Sequence, residues 1–474
     1  MTHPGDGHRR PHVIVAGGGF AALETVLALR ELAGERIAIS LMAPDAELVY
    51  RPVTVAEAFG RAQARSFRVA EILADHDTTY LRDTLVRVDH GGSRAVTRSG
   101  TEIPYDFLVV ATGAAMIAPL TGALTFRGRG DVPALQALLA ELVDGTAGSV
   151  AFTLPSGQSW PLPLYELALL TAAHLSEHGS SAPVHLVSPE EGPLALFGTA
   201  AQETLAPLLA AHGIRTRFQT MASEVRAHKL VLAGGGGIHV DRVVTLPELR
   251  GPRLEGLPAD EDGFIPVDSH GRVAGVPGVY AAGDVTTFPL KQGGLATQQA
   301  DAVAGDIAHE VGAPVTPTRF RPILRGLLIT EGAPVYLRCE PQRVERRTSV
   351  AIDARRPMPR RAGTTSSSAS DQALWWPPAK IAGRYLAPYL ATARPLALTA
   401  EPLTDRGAVA GPPLDEDEFE DAVELALLLA DGDAGWGDYH SALAALDAAE
   451  ALRGTLPPEY EAKRRMWVAE LDRG

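Results

Sequence analysis

The chain has 474 residues, 46% hydrophobic, with a formal net charge of −14 and a single cysteine, Cys339. That length exceeds one core, so two or three domains are expected. The negative charge argues against nucleic acid as a partner, and no apolar run reaches the roughly 18 residues of a membrane span. One cysteine rules out an internal disulfide, the 14 histidines carry no metal-ligand spacing, and the N-terminus lacks a signal sequence, so no metal and a cytoplasmic location are expected.

Residues 12–22, His-Val-Ile-Val-Ala-Gly-Gly-Gly-Phe-Ala-Ala, read as a buried strand, a tight turn and a helix start. The spacing Gly17-x-Gly19-x-x-Ala22 is the dinucleotide fingerprint with alanine in the third small position. Its first glycine permits the turn, its second admits a pyrophosphate close to the backbone, and its third small residue lets helix pack on strand. A phosphate then meets the free N–H groups and positive end of the helix. Residues 36–42 read as the next parallel strand. An acid at position 43 would hold the adenosine ribose, but Ala43 stands there, with Asp45 two residues on. Asp45 reads either as a ribose ligand or as a loop cap.

Residues 47–60 read as a loop and a helical turn in which Tyr50, Arg51 and Pro52 could wall a flat ring or simply form surface. Residues 84–97 alternate like a β-meander that includes Val86. The segment 105–113 reads as a buried strand closing in Thr112-Gly113, a corner small enough to pass beside a dinucleotide. A helix over 131–145 and a strand over 149–154 follow. The next turn, Pro155-Ser-Gly-Gln-Ser-Trp-Pro161, is too bulky and proline-rich to cradle a second pyrophosphate easily. A helix from 162 to 178 carries Glu166, either a proton-transfer group or an exposed helical residue. The βαβ rhythm continues to about 246. Residues 278–284 then form a strand ending in Gly283-Asp284, with Asp284 either a sugar-hydroxyl acceptor or a turn residue. Lys291, beside the start of a helix over 292–311, reads either as a stabiliser of negative charge or as a surface lysine.

Strand patterns occupy 318–352, and 353–373 reads as a mobile loop. The segment 374–390, with Trp375 and Trp376, could lie at a membrane surface, cover the site, or meet a dimer partner. Cys339 reads as a small core residue or a reactive thiol. From 412 the chain becomes acidic and helical. Its Trp436, Tyr439 and small-residue spacing is similar to one tetratricopeptide unit, which must pack on the main body or on a partner protein.

Gly17–Ala22, Ala111-Thr112-Gly113, the middle nucleotide-type domain without its loop, and Ala282-Gly283-Asp284 together resemble the flavoprotein superfamily of pyridine nucleotide-disulfide oxidoreductases. Tyr50-Arg51-Pro52, residues 163–167 and Lys291-Gln-Gly-Gly294 are similar to its sulfide:quinone oxidoreductase and type II NADH dehydrogenase branch. The resemblance implies an α/β fold. It would have two Rossmann-like three-layer domains (12–125 with 261–315, and 126–260), a C-terminal interface domain (316–400) and a helical extension (412–474).

It also implies FAD, with its pyrophosphate at Gly17, Gly18 and Gly19 and its ribitol at Asp284. The flavin ring would lie near Pro52 and residues 292–296. Phe20, Ala21, Ala22, Arg51, Val86, Thr112, Gly113, Gly283, Gly294 and Leu295 are further expected cofactor contacts, and Glu166 and Lys291 the expected catalytic residues. The expected partners are a small-molecule electron donor and acceptor, a quinone among them, at the membrane periphery. The lone cysteine excludes a redox cysteine pair, and residues 153–161 do not supply a glycine-rich NADH motif. The alternatives are a flavin-bound scaffold with little turnover and an NAD(P)H-dependent flavoprotein with an altered loop.

Overall fold

The computed structural model describes residues 9–154, 160–341, 364–393, 427, 442–443, 446, 449–450 and 455–471. Its first sheet aligns Val279–Ala281, Phe107–Val110, His12–Ala16, Ala38–Met42 and Thr79–Leu81, in that spatial order and all parallel. A parallel sheet is covered on both faces, which is why its strands read as continuous apolar runs. Alternation then divides each run. Val13, Val15, Leu41 and Val109 enter the core on one face, while Ile14, Ala16, Met42 and Val110 enter the core on the other. The helices Phe20–Ala33 and Gly293–Glu310 pack together on the first of these faces.

The second sheet repeats the plan with Leu124–Thr125, Arg242–Thr245, Val150–Thr153, Val184–Val187 and Arg215–Arg217, again all parallel. Leu124 and Thr125 belong to it although they precede the expected boundary at 126. Helices Val132–Asp144, Leu162–Glu177 and Thr199–Ala211 accompany this sheet. The two chain crossings between the sheets run side by side as the antiparallel pair Ala115–Ile117 and Glu248–Arg250.

A third unit is antiparallel: Leu324–Leu328, Val335–Pro341 and Thr364–Ser370. Residues 364–370 therefore correct the loop expected over 353–373. Leu337 stands opposite Ala369 and Cys339 opposite Ser367. The Ser/Thr run carries no apolar pattern, yet a ladder needs only backbone N–H and C=O groups. Residues 353–363 lie outside the described residues. Cys339 is fully buried among Leu324, Leu328 and Leu337, which resolves it as a core residue.

Trp375 is 2% exposed, meets Tyr336 edge-on at 5.1 Å, and donates its Nε1–H to the Ala379 carbonyl at 2.9 Å. The segment 374–390 thus turns this indole inward. Trp376 packs on a separate cluster of Leu427, Leu446, Ala449, Leu456 and Trp467, so the C-terminal helical extension leans on the main body. Its last helix is Pro458–Leu471; Trp436 and Tyr439 lie outside the described residues. Among the described residues no helix is long and apolar enough to cross a membrane.

Candidate cofactor site

One cavity of about 1040 Å³ runs from the first sheet's carboxyl ends into the space between the two nucleotide-type domains. Gly17, Gly18, Gly19, Phe20 and Ala21 form one end of it. Gly17 has φ +135°, and a Cβ there would stand 2.1 Å from the Ala111 carbonyl oxygen, so only glycine fits. A Cβ on Gly19 would meet nothing within 4 Å. The room at Gly19 is therefore open to a ligand, and no side chain caps the helix that begins at Phe20. Ala22 is fully buried and does not line the cavity; its smallness lets helix and strand approach, as the fingerprint requires. Ala43 is buried too, and the exposed Asp45 and Glu47 are the acids that face this end.

The middle of the cavity is built from strands far apart in sequence. Thr112 and Gly113 follow Phe107–Val110, while Gly283 and Asp284 follow the neighbouring Val279–Ala281. Burial pushes the Asp284 carboxyl up, against the opposing pull of Lys291 and Arg51. Lys291 also lines the cavity. Its Nζ donates to the Thr286 carbonyl and sits 3.9 Å from the centre of the Phe264 ring. Burial lowers its amine to about 8, although Asp284 favours the charged form. Arg51 and Pro52 line the cavity as expected.

The far wall comes from the C-terminal segment, through Lys380 and Ile381. Lys380 Nζ contacts both carboxylate oxygens of Glu166, at 2.5 and 2.6 Å, and the Ile329 N–H donates to Glu166 at 2.8 Å. Burial pushes the Glu166 carboxyl up and the Lys380 amine down, and their mutual attraction opposes both shifts. Glu166 is fully buried and stands behind Lys380 rather than in the cavity wall. Lys380 is the residue the sequence reading missed. The signal was present, a single lysine among the apolar residues 374–383.

Besides Ala22 and Glu166, four more expected positions fall outside the lining. Val86 points to solvent at 37% exposure, and strand alternation puts its neighbour Leu85 inward, at the cavity. Gly294 and Leu295 are displaced by Gln292, Gly293 and Ala296, which do face the space. The reason is local: Gln292 caps the helix, its Oε1 accepting the Leu295 N–H at 2.8 Å while its Nε2 donates to the Arg325 carbonyl at 3.0 Å. Tyr50 leaves the lining as well. Its hydroxyl accepts the Ile381 N–H at 2.9 Å, and burial pushes the phenol up to about 12. It anchors the C-terminal segment instead of walling a ring. A group of metal-capable side chains that the reading of the sequence passed over, His174, Glu177 and His178, comes together away from the cavity, where Glu177 also pairs with Arg61.

A family model described as pyridine nucleotide-disulphide oxidoreductase matches residues 11–146 and 167–303. The NADH dehydrogenase-like protein Rv1812c of Mycobacterium tuberculosis is 28% identical over 291 residues, which cover 58% of this chain and 72% of that protein. Demethylphylloquinone reductase NdbB of Synechocystis is 26% identical over 366 residues, covering 68% and 86%. Among solved structures, the sulfide:quinone oxidoreductase of Aquifex aeolicus superposes with a TM-score of 0.64 at 20% identity, covering 76% of this chain and 87% of that one. That likeness shows a shared fold.

Proposed function

The chain belongs to the pyridine nucleotide-disulphide oxidoreductase family, and from that premise we propose that it is an FAD-dependent oxidoreductase passing electrons from a small-molecule donor to a quinone. The observation that carries this reading is the convergence of the Gly17–Gly19 turn, Asp284 and Lys291 on one elongated cavity. Its volume lies at the top of the roughly 300–1,000 Å³ usual for ligand pockets, as an extended dinucleotide requires. A relative named demethylphylloquinone reductase supports the acceptor class.

Bound FAD supplies reversible electron transfer; the protein supplies binding, orientation and charge. The Phe20–Ala33 helix presents its positive end and its free amides to the pyrophosphate. Asp45 or Glu47 takes the ribose role that Ala43 cannot fill. Asp284 accepts hydroxyl bonds from the sugar-alcohol chain. Lys291 places a positive charge where electron density accumulates, and Lys380, backed by Glu166, offers a second cation and a protonated group at the cavity wall. The apolar lining from Met116, Trp160, Leu162, Pro163, Leu246 and Leu249 suits a quinone ring. Lys380 and Ile381 close one side of the site with protein rather than lipid.

The test is direct. Purified protein should be yellow or take up added FAD, and its reduced flavin should be reoxidised by a water-soluble quinone. Protein that carries no flavin and binds none sinks the proposal.

A further inference from the structure

The two nucleotide-type domains can be aligned by their own hydrogen bonds. In the first, the Gly17 N–H donates to the Met42 carbonyl at 2.8 Å and the Ala43 N–H to the Leu81 carbonyl at 3.1 Å. In the second, the Leu154 N–H donates to the Val187 carbonyl at 3.4 Å and the Ser188 N–H to the Arg217 carbonyl at 2.9 Å. Leu154 therefore occupies the position of the first fingerprint glycine, and Ser188 the position of the ribose acid. Leu154 is 1% exposed and part of the apolar core, so the position whose glycine permits the tight turn carries a buried side chain instead.

The helix that should receive the phosphate is also altered. It starts at Leu162 after Pro161 and carries Pro163 in its first turn. Proline has no N–H to offer, and the Leu164 N–H is already spent on the Pro161 carbonyl at 2.9 Å. The family match itself leaves out residues 147–166, the stretch that contains this turn.

The ribose end is closed by a bonded cluster. Glu190, 8% exposed, accepts the Tyr165 hydroxyl at 2.6 Å and the Ser188 hydroxyl at 2.9 Å on the same oxygen. The Tyr165 oxygen in turn accepts the Leu194 N–H at 3.2 Å. Tyr165 is fully buried, and burial beside Glu190 keeps its phenol neutral and donating. The first acid after Ser188 in the chain is thus turned inward and held. A diol that took this oxygen would displace the Tyr165 and Ser188 hydroxyls and leave buried polar atoms unpaired.

We infer that the second nucleotide-type domain is closed to NADH and NADPH, that Tyr165 and Glu190 are the residues closing its ribose end, and that the reductant is a small molecule entering the cavity without a nucleotide handle. This rests on the flavin reading of the same cavity. Trp160, Leu162 and Pro163 then present an apolar face to that donor where a phosphate turn would otherwise stand.

The test is anaerobic titration of the FAD-loaded protein with NADH and with NADPH, followed by dithionite. The expected result is no saturable flavin reduction by either nucleotide up to about 1 mM, the top of the usual KM range, and full reduction by dithionite. Saturable reduction by either nucleotide below that concentration overturns the inference while leaving the flavin reading intact. If the protein proves flavin-free, the flavin reading fails on its own. Calorimetric titration with NADH then decides: binding that Gly19→Ala does not weaken overturns closure, and its absence upholds it. A Tyr165→Phe variant gives a second readout. It keeps the ring and removes one of the two hydroxyls held by Glu190, so any nucleotide affinity it gains over the parent supports the role assigned to the cluster. A parent that already binds NADH as well as the variant overturns that role.

Discussion

Glu166 and Lys380 lie 214 residues apart in sequence and meet as a buried ion pair against the cavity wall. Their side chains are 0% and 7% exposed. Breaking such a pair from one side strands a charge and typically costs about 3–5 kcal/mol. Lys380→Met should therefore destabilise the protein by that order in urea unfolding, and Glu166→Gln by less, since glutamine can still accept the Ile329 N–H. The double variant should lose less than the sum of the two. Strict additivity would show that the pair is not coupled.

Gly17 and Gly19 separate folding from binding. Gly17→Ala drives a Cβ into the Ala111 carbonyl and should give protein that folds poorly or carries no cofactor. Gly19→Ala meets no protein atom, so its apoprotein melting temperature should match the parent. Its FAD affinity should fall about tenfold or more, because the methyl occupies the ligand's space; a tenfold loss is about 1.4 kcal/mol. Unchanged FAD affinity in Gly19→Ala would move the pyrophosphate elsewhere.

Lys291 predicts an alkaline inflection. Its amine titrates at about 8 in the folded protein, against about 10.4 for an unperturbed lysine. The folded state sheds this proton first, so between those values the unfolded state binds more protons and stability rises with pH. Below about pH 8 the group is charged and favours electron density on the cofactor; above it that help fades. The flavin midpoint potential should show an inflection near pH 8 that Lys291→Met removes. An inflection that survives the substitution assigns it to another group.

Glu24 ties the C-terminal segment to the first helix. Its two oxygens accept the N–H groups of Tyr385 and Leu386, each at 2.8 Å, capping the helix Leu386–Thr392. Burial and the neighbouring Asp301 push the Glu24 carboxyl up, and burial raises Asp301 to about 6. The folded state therefore holds protons that the unfolded state has released, and stability falls as pH rises from about 4 through 6. Asp301→Asn should flatten that part of the curve in thermal unfolding. A curve of unchanged slope would remove the carboxyl pair as its cause.

What could be read from sequence was local. Apolar β-branched runs gave the central strands, and Gly17-x-Gly19-x-x-Ala22 marked a turn whose glycine requirement the Ala111 carbonyl now explains. Asp284 and Lys291 were legible because they follow a short strand and precede a helix. Lys380, Tyr50 and Glu166 were not, because each has its meaning in a partner more than 200 residues away. No local pattern encodes such a meeting. Val86 was misplaced by one residue of strand alternation, and the Ser/Thr strand 364–370 was hidden because its pairing uses backbone alone.

The wall formed by Lys380 and Ile381 also sets an order of assembly. The glycine turn leaves the ribosome long before it: Glu24 and Tyr385 alone are separated by 361 residues, or roughly 20–70 s at about 5–20 residues per second. Through that interval the nascent groove stands open on the side that the finished protein covers, and the closing stretch arrives as the last step around whatever already lies inside. Loading is then expected to be faster before that stretch docks than after it. Protein refolded in the presence of FAD should reach full occupancy faster than protein refolded first and supplied with FAD afterwards.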